Sequence, residues 1–388
     1  MKKEFLNLGK QPIANGFLHN DQFTEEYFYN LKVAFDDDNK LVTHVDYVDK
    51  ELMFNDRYSY RGSMSQTMRE HFKNLSDNLH FYGEDILEIG SNDGVFLKHW
   101  NKEKAISVEP CGNFAKETML MGYTTYAEFW TTKLAEQILA FDGKRDLIFS
   151  ANCICHIPNL DDAFKGIELL LKDDGVFIFE DPSLAEMINN NSYDQIYDEH
   201  PHIFSVIALD NILQQNGLQI VKVENLSVHG GSNRIYAKKI GCKVHKSVNE
   251  NKSYERILGL DKFETFKQFA KKVEQSKKDL IRLLTNCKNE GKKVISYGAT
   301  SKSTTIFNYC GIGPDLISYI VDTTPEKQGK FSPGVHIPIM SPSLGFNEGV
   351  DYAYLGAWNF TEEIKRKEKH WVEEGGKFIT HVPTIKFV

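Results

Sequence analysis

A short apolar run that leads into a glycine turn between carboxylates is the feature that most constrains the fold of this chain. Residues 86–89 read Ile-Leu-Glu-Ile, as in a buried β-strand, and the turn Gly-Ser-Asn-Asp-Gly follows directly. Gly90 and Gly94 allow the backbone to bend tightly and to approach a ligand closely. Residues 95–100 then predict the start of a helix. Strand, glycine turn and helix in this order are typical of doubly wound α/β domains.

The acidic groups around this turn indicate which ligand it binds. Glu88 and Asp93 flank the turn, and carboxylates are unfavourable next to a phosphate. A second apolar run, residues 105–108, ends in Glu109, the position that hydrogen-bonds ribose hydroxyls in such folds. One alternative is an NAD-binding turn, although the third glycine of that motif is missing here. The other is a tight turn that only connects the strand to the helix. Carboxylates beside the turn suit a cationic or polyhydroxyl ligand, and together with Glu109 they predict S-adenosylmethionine. The residues predicted to bind it in this region are Glu88, Gly90, Asn92, Asp93, Gly94 and Glu109.

Composition and charge exclude several classes of protein. The 388 residues suffice for two or three domains, and 41% hydrophobic with 26% charged residues is typical of globular proteins. No apolar stretch approaches the roughly 18 to 20 residues that span a bilayer, and no apolar leader opens the chain. The net charge of -8 does not favour a nucleic-acid partner. We expect a cytoplasmic protein without membrane or nucleic-acid partners, monomeric or, as the alternative, homodimeric.

The alternation of strands and helices divides the chain into three parts. Residues 1–68 are rich in aromatic side chains and predict a small appendage. Residues 69–240 predict a mostly parallel sheet with an antiparallel hairpin at its edge. Residues 241–388 predict one long amphipathic helix over 255–290 and then a second βα unit. The strands predicted for the first two parts are residues 29–35, 41–48, 86–89, 105–108, 147–151, 176–180, 218–226 and 233–238.

The densest polar cluster outside the glycine turn is residues 195–205, Gln-Ile-Tyr-Asp-Glu-His-Pro-His-Ile-Phe-Ser. It follows the strand predicted at 176–180, at the carboxyl edge of the sheet where ligands of such folds bind. Histidine titrates near neutrality, and a neighbouring carboxylate can fix its tautomer, so the cluster predicts a general base. A capping turn with partly exposed histidines is the structural alternative.

We expect no metal from the sequence. Two histidines separated by one proline, as at His200 and His202, do not have the usual ligand spacing on a helix. None of the six cysteines forms a Cys-x-x-Cys pair, so neither a zinc ribbon nor a redox site is indicated.

Two further segments carry polar groups at the ends of predicted strands. Asn152 and His156 follow the strand at 147–151, so both are expected to face the same cleft as the methyl donor. The run His-Gly-Gly-Ser-Asn-Arg at 229–234 combines a flexible backbone with a hydroxyl and a guanidinium. Such a turn either approaches a ligand or closes a hairpin.

With these segments in place, the chain resembles the S-adenosylmethionine-dependent sugar C-methyltransferases that act on nucleotide-linked 4-keto deoxysugars. The similarity extends over nearly the whole chain, and the ordered series of motifs is more specific than any one of them. The motifs lie at residues 8–17, 58–65, 86–94, 197–200, 229–234, 327–334, 337–339 and 357–360.

The resemblance implies both a fold and a mechanism. The expected fold is α/β, a class I methyltransferase doubly wound sheet with a small amino-terminal, substrate-covering appendage and a second Rossmann-like domain at the carboxyl end. His200 would remove a proton beside the ketone of a nucleotide-sugar substrate, with Tyr197 and Glu199 as neighbours, and the methyl group would go to carbon, at C3 of a 4-keto sugar. Asn152 would join the donor-binding residues. The implied substrate-binding residues are Tyr58, Tyr60, His156, His202, His229, Ser232, Arg234 and Lys302.

The chain departs from this family in three ways, which weaken the prediction of the substrate more than the prediction of methyl transfer. The family carries zinc-binding cysteines in its amino-terminal unit, whereas no cysteine precedes Cys111 here. Asp198 stands where the family commonly has a histidine, and the turn at Gly298 is less rich in glycine. An O-methyltransferase acting on an activated sugar is one alternative, and a sugar-nucleotide-binding protein with a vestigial donor site is another.

Overall fold

Three β-sheets organise the computed structural model, which describes residues 1–346 and 349–388. The strands of the amino-terminal and central regions are β1 (Lys2–Pro12), β2 (Phe28–Asp36), β3 (Leu41–His44), β4 (Ile86–Ile89), β5 (Ala105–Val108), β6 (Thr124–Tyr126), β7 (Arg145–Ala151), β8 (Leu171–Pro182), β9 (His202–Ile203), β10 (Leu218–Leu226) and β11 (Ser232–Lys239). Those of the carboxy-terminal region are β12 (Val294–Tyr297), β13 (Ile320–Val321), β14 (Ile339–Met340), β15 (Tyr352–Leu355), β16 (Lys377–Thr380) and β17 (Lys386–Phe387).

The helices lie mostly between the strands, as crossover connections of an α/β fold require. They are α1 (Lys50–Met53), α2 (Gln66–Leu79), α3 (Gly112–Leu120), α4 (Thr132–Asp142), α5 (Leu160–Leu170), α6 (Leu184–Asn190), α7 (Val206–Gln215), α8 (Lys246–Leu258), α9 (Phe263–Asn289), α10 (Ser301–Cys310), α11 (Pro342–Gly345), α12 (Thr361–Lys367) and α13 (Lys369–Glu373). Within the described ranges, no helix has the length and apolar character needed to cross a membrane.

The central sheet has the strand order β10-β11-β8-β7-β4-β5-β6. The strands from β8 to β6 run parallel, and β11 is antiparallel to both of its neighbours. Because the chain moves outward in opposite directions from β4, a crevice opens at the carboxyl ends of β4 and β7. The predicted doubly wound sheet with its antiparallel hairpin is therefore confirmed, and β10 is the edge strand.

Alternating side chains of the central strands build a core on each face of this sheet. In β8, Phe177 and Phe179 pack with α4, α5 and α7 on one face. Val176 and Ile178 point the other way and pack with Phe72 of α2. A strand covered on both faces has a nearly continuous apolar sequence, which is why this region was predictable.

The amino-terminal sheet has the order β1-β2-β3-β9 and packs on the long helix α9. The Phe35 ring of β2 lies 4.8 Å from the Phe266 ring of α9. Thr43 of β3 pairs with His202 of β9, so this sheet takes its last strand from the polar cluster at 195–205. The predicted boundary after residue 68 falls inside α2, and the division of the chain at 68 and 240 stays a prediction.

The carboxy-terminal sheet has the order β14-β13-β12-β15-β16-β17, parallel except for β17. Its glycine turn joins β12 to α10, so the predicted second Rossmann-like unit is confirmed. The single helix predicted over 255–290 is wrong, because Gly259 adopts a φ of +74° and ends α8 before α9 begins.

The helix predicted at residues 95–100 is also absent. The N–H groups of His99 and Trp100 donate to the carbonyls three residues back, Phe96 and Leu97, at 3.2 and 2.9 Å, so the segment does not form α-helical bonds there. Only a 3₁₀ turn forms, at Leu97–His99.

Candidate active site

A cavity of about 420 Å³ lies at the carboxyl edge of the central sheet. Residues from all three regions of the chain line it, so amino-terminal segments outside the first sheet and the carboxy-terminal unit both contribute to the crevice above β4 and β7. The predicted site residues that the structure brings together in its lining are Tyr58, Tyr60, Glu88, Gly90, Asn92, Glu109, Asn152, His156, Tyr197, Glu199, His200, His229 and Lys302.

Backbone amides and buried carboxylates surround the part of the cavity beside the glycine turn. Glu109, at the end of β5, accepts the N–H groups of Asn92 and Cys111, at 2.7 and 2.8 Å. Glu88 is buried, and its Oε2 has no hydrogen-bond partner. Burial raises the pKa of both carboxyls, and Glu109 adds to the effect at Glu88. A cationic ligand group would relieve this cost of burial.

Gly90 requires the absence of a side chain. Its φ is +74°, and a Cβ at this position would lie 2.7 Å from Sγ of Cys153. The backbone therefore reaches the ligand space only because residue 90 is glycine.

Asp93 and Gly94 shape the turn without lining the cavity. Asp93 Oδ2 accepts the N–H of Ser63 at 3.1 Å, and Asn92 Oδ1 accepts the N–H of Gly62 at 3.0 Å. These two bonds fix the segment before α2 over the turn. Asp93 therefore holds the turn from outside the cavity lining and does not face the cavity itself.

The His200 imidazole has a defined tautomer. Nδ1 lies 2.8 Å from the Gln195 carbonyl oxygen, which can only accept, so Nδ1 carries a proton. Nε2 accepts from the Tyr197 hydroxyl at 2.7 Å. Burial, with a smaller contribution from His156, holds the pKa of His200 well below its ordinary value. The low pKa favours the neutral ring near pH 7, with its lone pair on Nε2.

Two adjacent buried acids connect this cluster to the amino-terminal segment. Glu199 accepts from the Tyr58 hydroxyl at 2.8 Å and from Nδ2 of Asn15 at 2.6 Å. Both carboxylate oxygens of Asp198 accept the N–H of Ala14 at 3.2 Å. Burial raises the pKa of Glu199 to about 7, and burial with the neighbouring Glu199 raises the pKa of Asp198.

Three buried polar atoms of the described cavity lining have no hydrogen-bond partner: Glu88 Oε2, His156 Nε2 and His229 Nε2. The His156 ring is stacked between Phe54 and His200, with centroids 5.3 and 5.1 Å away. Burial lowers the pKa of His156 and of His229 to about 3. Because buried polar atoms are normally paired, these atoms mark places where a polar ligand would bind.

Lys302 brings a cation to the same cavity from α10. Its Nζ lies 3.4 Å from both the His229 carbonyl oxygen and Asn359 Oδ1. Burial lowers the pKa of this ammonium group, and the nearby Asp194 partly opposes that shift.

Three residues predicted to bind substrate, His202, Ser232 and Arg234, lie outside the cavity lining. His202 is paired within β9 and bonds the Pro158 carbonyl at 3.2 Å. The Ser232 hydroxyl donates to the Val228 carbonyl at 3.2 Å and closes the hairpin. Arg234 lies between Glu180 and Glu224, at 2.6 and 2.8 Å. Ser232 and Arg234 therefore belong to a turn and strand that close a hairpin, which was the alternative prediction for residues 229–234.

The sequence interpretation also missed cavity residues. Asn15, Gln195 and Lys327 all line the cavity. Each had a signal, because Asn15 lies in the motif at 8–17, Gln195 begins the cluster at 195–205 and Lys327 begins the motif at 327–334. The Lys327 Nζ donates to the Ala299 carbonyl at 2.7 Å and lies over the Phe17 ring, so it joins the glycine turn of the second unit to the appendage.

A group of potential metal ligands includes two histidines of the cavity lining. Cys155 Sγ and one ring nitrogen each of His156 and His200 are within 4.8 Å of one another. It is the only such group found in the part of the chain that the structure describes.

Sequence comparisons agree with the three regions of the structure. Residues 60–223 match the family described as "Methyltransferase domain", and residues 227–383 match the family described as "C-methyltransferase C-terminal domain". Residues 1–54 match a family described as "Putative zinc binding domain". The fold is that of a class I methyltransferase, and the chain is an S-adenosylmethionine-dependent methyltransferase.

A relative that matches nearly the whole chain identifies the family within this class. The C-methyltransferase NovU of Streptomyces niveus is 31% identical over 395 residues, which cover 99% of this chain and 94% of NovU. The chain therefore belongs to the C-methyltransferase family of which NovU is a member.

Solved structures resemble the chain less closely. The CurJ carbon methyltransferase is 14% identical, with a TM-score of 0.35, and the match covers 47% of this chain and 57% of that one. The magnesium protoporphyrin IX methyltransferase of Synechocystis PCC 6803, with bound S-adenosylmethionine, is 13% identical, with a TM-score of 0.34, over 47% of this chain and 90% of that one.

The match at residues 1–54 contradicts the expectation that no metal belongs to this protein. The residues of this segment nevertheless do not supply a zinc set of the usual kind. It has no cysteine, and its histidines are His19 and His44. His19 takes part in the capping of a 3₁₀ turn, and His44 lies in β3. Because structural zinc is held by four Cys and His ligands, these residues do not fit it, and no step below involves a metal.

Proposed function

We propose that this enzyme transfers the methyl group of S-adenosylmethionine to a carbon beside the ketone of a nucleotide-linked keto-deoxysugar, at C3 of a 4-keto sugar. The observation that carries the proposal is the His200 imidazole, which donates from Nδ1 to the Gln195 carbonyl and lines the same cavity as the glycine turn at Gly90. An amine nitrogen attacks the methyl donor with its own lone pair, whereas a carbon beside a ketone must first lose a proton. A buried neutral base beside the donor suits that requirement.

His200 is the proposed base. Its Nε2 takes the C3 proton, and the electron pair of the C–H bond forms the enolate, with the charge on the ketone oxygen. The enolate carbon then forms a bond to the methyl carbon as the bond from that carbon to sulfur breaks. S-adenosylhomocysteine and the C-methylated ketone are the products, and the imidazolium returns its proton to water. Holding both reactants in line supplies much of the acceleration.

Donors near the ketone oxygen are needed because the enolate is stable only when its charge is shared. The unpaired Nε2 of His156 is one proposed donor, since its ring is stacked on His200. The Tyr197 hydroxyl is the other. It covers Nε2 of His200 in the absence of substrate, and we propose that it turns to the ketone oxygen when the sugar binds. Burial holds the pKa of Tyr197 well above its ordinary value, so it stays a donor.

The two ends of the cavity have different chemistry, which supports separate donor and acceptor positions. Glu88, Glu109 and the amide-lined turn suit the amino group and ribose of S-adenosylmethionine. Tyr58, Tyr60 and Lys302 line the cavity from the appendage and the second unit. Hydroxyls and an ammonium group suit a polyhydroxyl sugar attached to a diphosphate.

Hydrogen exchange tests the proposal before any methyl transfer occurs. The enzyme is incubated in heavy water with S-adenosylhomocysteine and, in turn, the 4-keto-6-deoxyhexoses linked to thymidine, uridine, cytidine and guanosine diphosphate. We expect deuterium at C3 of at least one of them, at a rate that His200→Gln lowers about 10²- to 10⁴-fold. His44→Gln is the matched control, because His44 is another buried histidine with a lowered pKa, outside the cavity.

The outcome is decisive in both directions. Exchange that depends on His200 and not on His44 supports base-assisted enolate formation. Methylation of a keto sugar without such dependence would overturn the role of His200. The absence of both exchange and methylation for all four nucleotides would overturn the sugar substrate.

A further inference from the structure

A buried carboxylate joins the cluster around His200 to the carboxy-terminal unit. Asp194 is 0% exposed, and its Oδ2 accepts the indole N–H of Trp358 at 2.6 Å. Nε2 of His381 lies 3.5 Å from the same oxygen. The Tyr354 hydroxyl and Nδ1 of His381 are 2.8 Å apart, so the histidine is held from its other side. Trp358, His381 and Tyr354 all belong to the second Rossmann-like unit.

Asp194 is a charged group in this interior. Burial alone would raise its pKa, but His381, Lys302 and the Trp358 N–H together lower the pKa below its ordinary value. A buried carboxylate is stable only where such partners surround it. The contact therefore depends on the position of the second unit and would be lost if the two parts separated.

The turn that contains Asp194 also determines the orientation of the proposed base. The carbonyl of Gln195, the next residue, accepts Nδ1–H of His200 at 2.8 Å. The Gln195 side chain donates to the His229 carbonyl at 2.7 Å. On the other side, the Thr305 hydroxyl of α10 donates to the Ile196 carbonyl at 3.2 Å. Contacts from the second unit thus hold the residues before and after the carbonyl that binds His200.

We propose that Asp194 is a positioning residue, and that through Trp358 and His381 the carboxy-terminal unit fixes the Gln195 carbonyl that keeps the proton of His200 on Nδ1. This inference rests on the proposed role of His200 as the base. The second unit then contributes to proton removal without contacting the reacting atoms. A base needs its lone pair on the nitrogen that takes the proton, and in the proposed mechanism that nitrogen is Nε2.

Trp358→Phe tests the inference most cleanly, because it removes the indole N–H and keeps an aromatic ring. Trp371→Phe is the matched control. Trp371 belongs to the same unit, and its indole N–H donates to the Val350 carbonyl at 3.0 Å and not to Asp194. Asp194→Asn is the second test variant, since it keeps the size of the side chain and removes the charge.

The first readout does not depend on any substrate. The ring nitrogens of His200 are observed by NMR in the full-length protein with ¹⁵N-labelled histidine, and His200→Gln identifies the signals. We expect the Nδ1–H tautomer in the wild type and in Trp371→Phe, and a mixture of tautomers in Trp358→Phe and Asp194→Asn. A single Nδ1–H tautomer in all four proteins would overturn the inference.

The second readout is deuterium exchange into the 4-keto sugar nucleotides. We expect Trp358→Phe and Asp194→Asn to lower the exchange rate about tenfold or more, with the dissociation constant of S-adenosylhomocysteine unchanged. If the wild type exchanges and these variants match it, the inference fails while the proposed function stands. If the wild type shows neither exchange nor methylation, the proposed function fails, and the tautomer measurement then decides only whether Asp194 and Trp358 fix the tautomer of His200.

Discussion

The Tyr197 hydroxyl lies 2.7 Å from Nε2 of His200 and covers the lone pair that a base must use. The hydroxyl therefore has to move when the acceptor binds, and the ketone oxygen is its proposed partner. We expect Tyr197→Phe to lower kcat and the rate of hydrogen exchange about 10²-fold, because one donor to the enolate is lost. The dissociation constant of S-adenosylmethionine, measured by calorimetry, should not change. Wild-type exchange in this variant would remove Tyr197 from the mechanism.

The contact between Tyr58 and Glu199 predicts how the amino-terminal segment closes the cavity. The hydroxyl donates to Oε2 at 2.8 Å, and a hydrogen bond inside a protein contributes about 0.5 to 1.5 kcal/mol. We expect Tyr58→Phe to raise the KM of the sugar nucleotide about tenfold and to increase proteolysis of residues 1–68. Tyr27→Phe is the control, since Tyr27 is exposed. Equal KM values for the two variants would contradict this role.

Glu109 provides the test of the donor pocket. Its carboxylate binds the amides of Asn92 and Cys111, and it is the residue predicted to reach the ribose hydroxyls. We expect Glu109→Ala to weaken binding of S-adenosylhomocysteine about 10²-fold by calorimetry, since both the turn geometry and the acceptor are lost. The exposed Glu103 offers a control as Glu103→Ala. Undiminished binding by Glu109→Ala would show that the ribose lies elsewhere.

The buried Glu255, which does not line the cavity, is expected to make the stability of the protein depend on pH. On α8, it accepts the N–H groups of Val206 and Ile207, at 2.7 and 2.9 Å, at the start of α7. Burial raises its pKa from 4.5 to about 7, so between these values the folded protein holds a proton that the unfolded chain has lost. The stability contributed by this group is therefore fully present below pH 4.5 and falls as the pH rises through 7.

Urea unfolding at pH 5 and pH 8 measures this effect. Relative to Glu255→Gln, the wild type should lose up to about 3 kcal/mol between the two pH values. Glu250→Gln, at an exposed position of the same helix, should follow the wild type. The same pH dependence in wild type and Glu255→Gln would contradict the assignment.

The central sheet was predictable because its strands are short apolar runs with sharp ends. The predictions for β4, β5 and β10 match the structure residue for residue, since Gly90, Glu109 and the hairpin glycines mark where pairing stops. β1 was not predicted, because one side of this strand is exposed and its sequence is rich in lysine and polar residues. β9 has only two residues and forms by pairing with β3, which local sequence does not specify.

Site residues that directly follow a strand could be predicted from the sequence. Residues whose position depends on pairing with a neighbouring strand could not. Asn152, His156 and the cluster with His200 are brought together because parallel strands end at one edge. Arg234 and Glu180 face each other in the register of β11 and β8, and this pairing takes the guanidinium away from the cavity. The Asp194 contact with Trp358 joins residues 164 positions apart, so no local pattern could have indicated it.

Transfer of a ¹³C-labelled methyl group tests the central claim most directly. The enzyme is given S-adenosylmethionine labelled at the methyl carbon, together with the four nucleotide-linked 4-keto-6-deoxyhexoses, and the product is analysed by NMR. We expect the labelled methyl carbon to couple directly to the sugar carbon beside the ketone, with the C3 hydrogen replaced. A labelled methoxy signal would contradict carbon methylation, and an unlabelled sugar from all four acceptors would contradict the sugar as substrate.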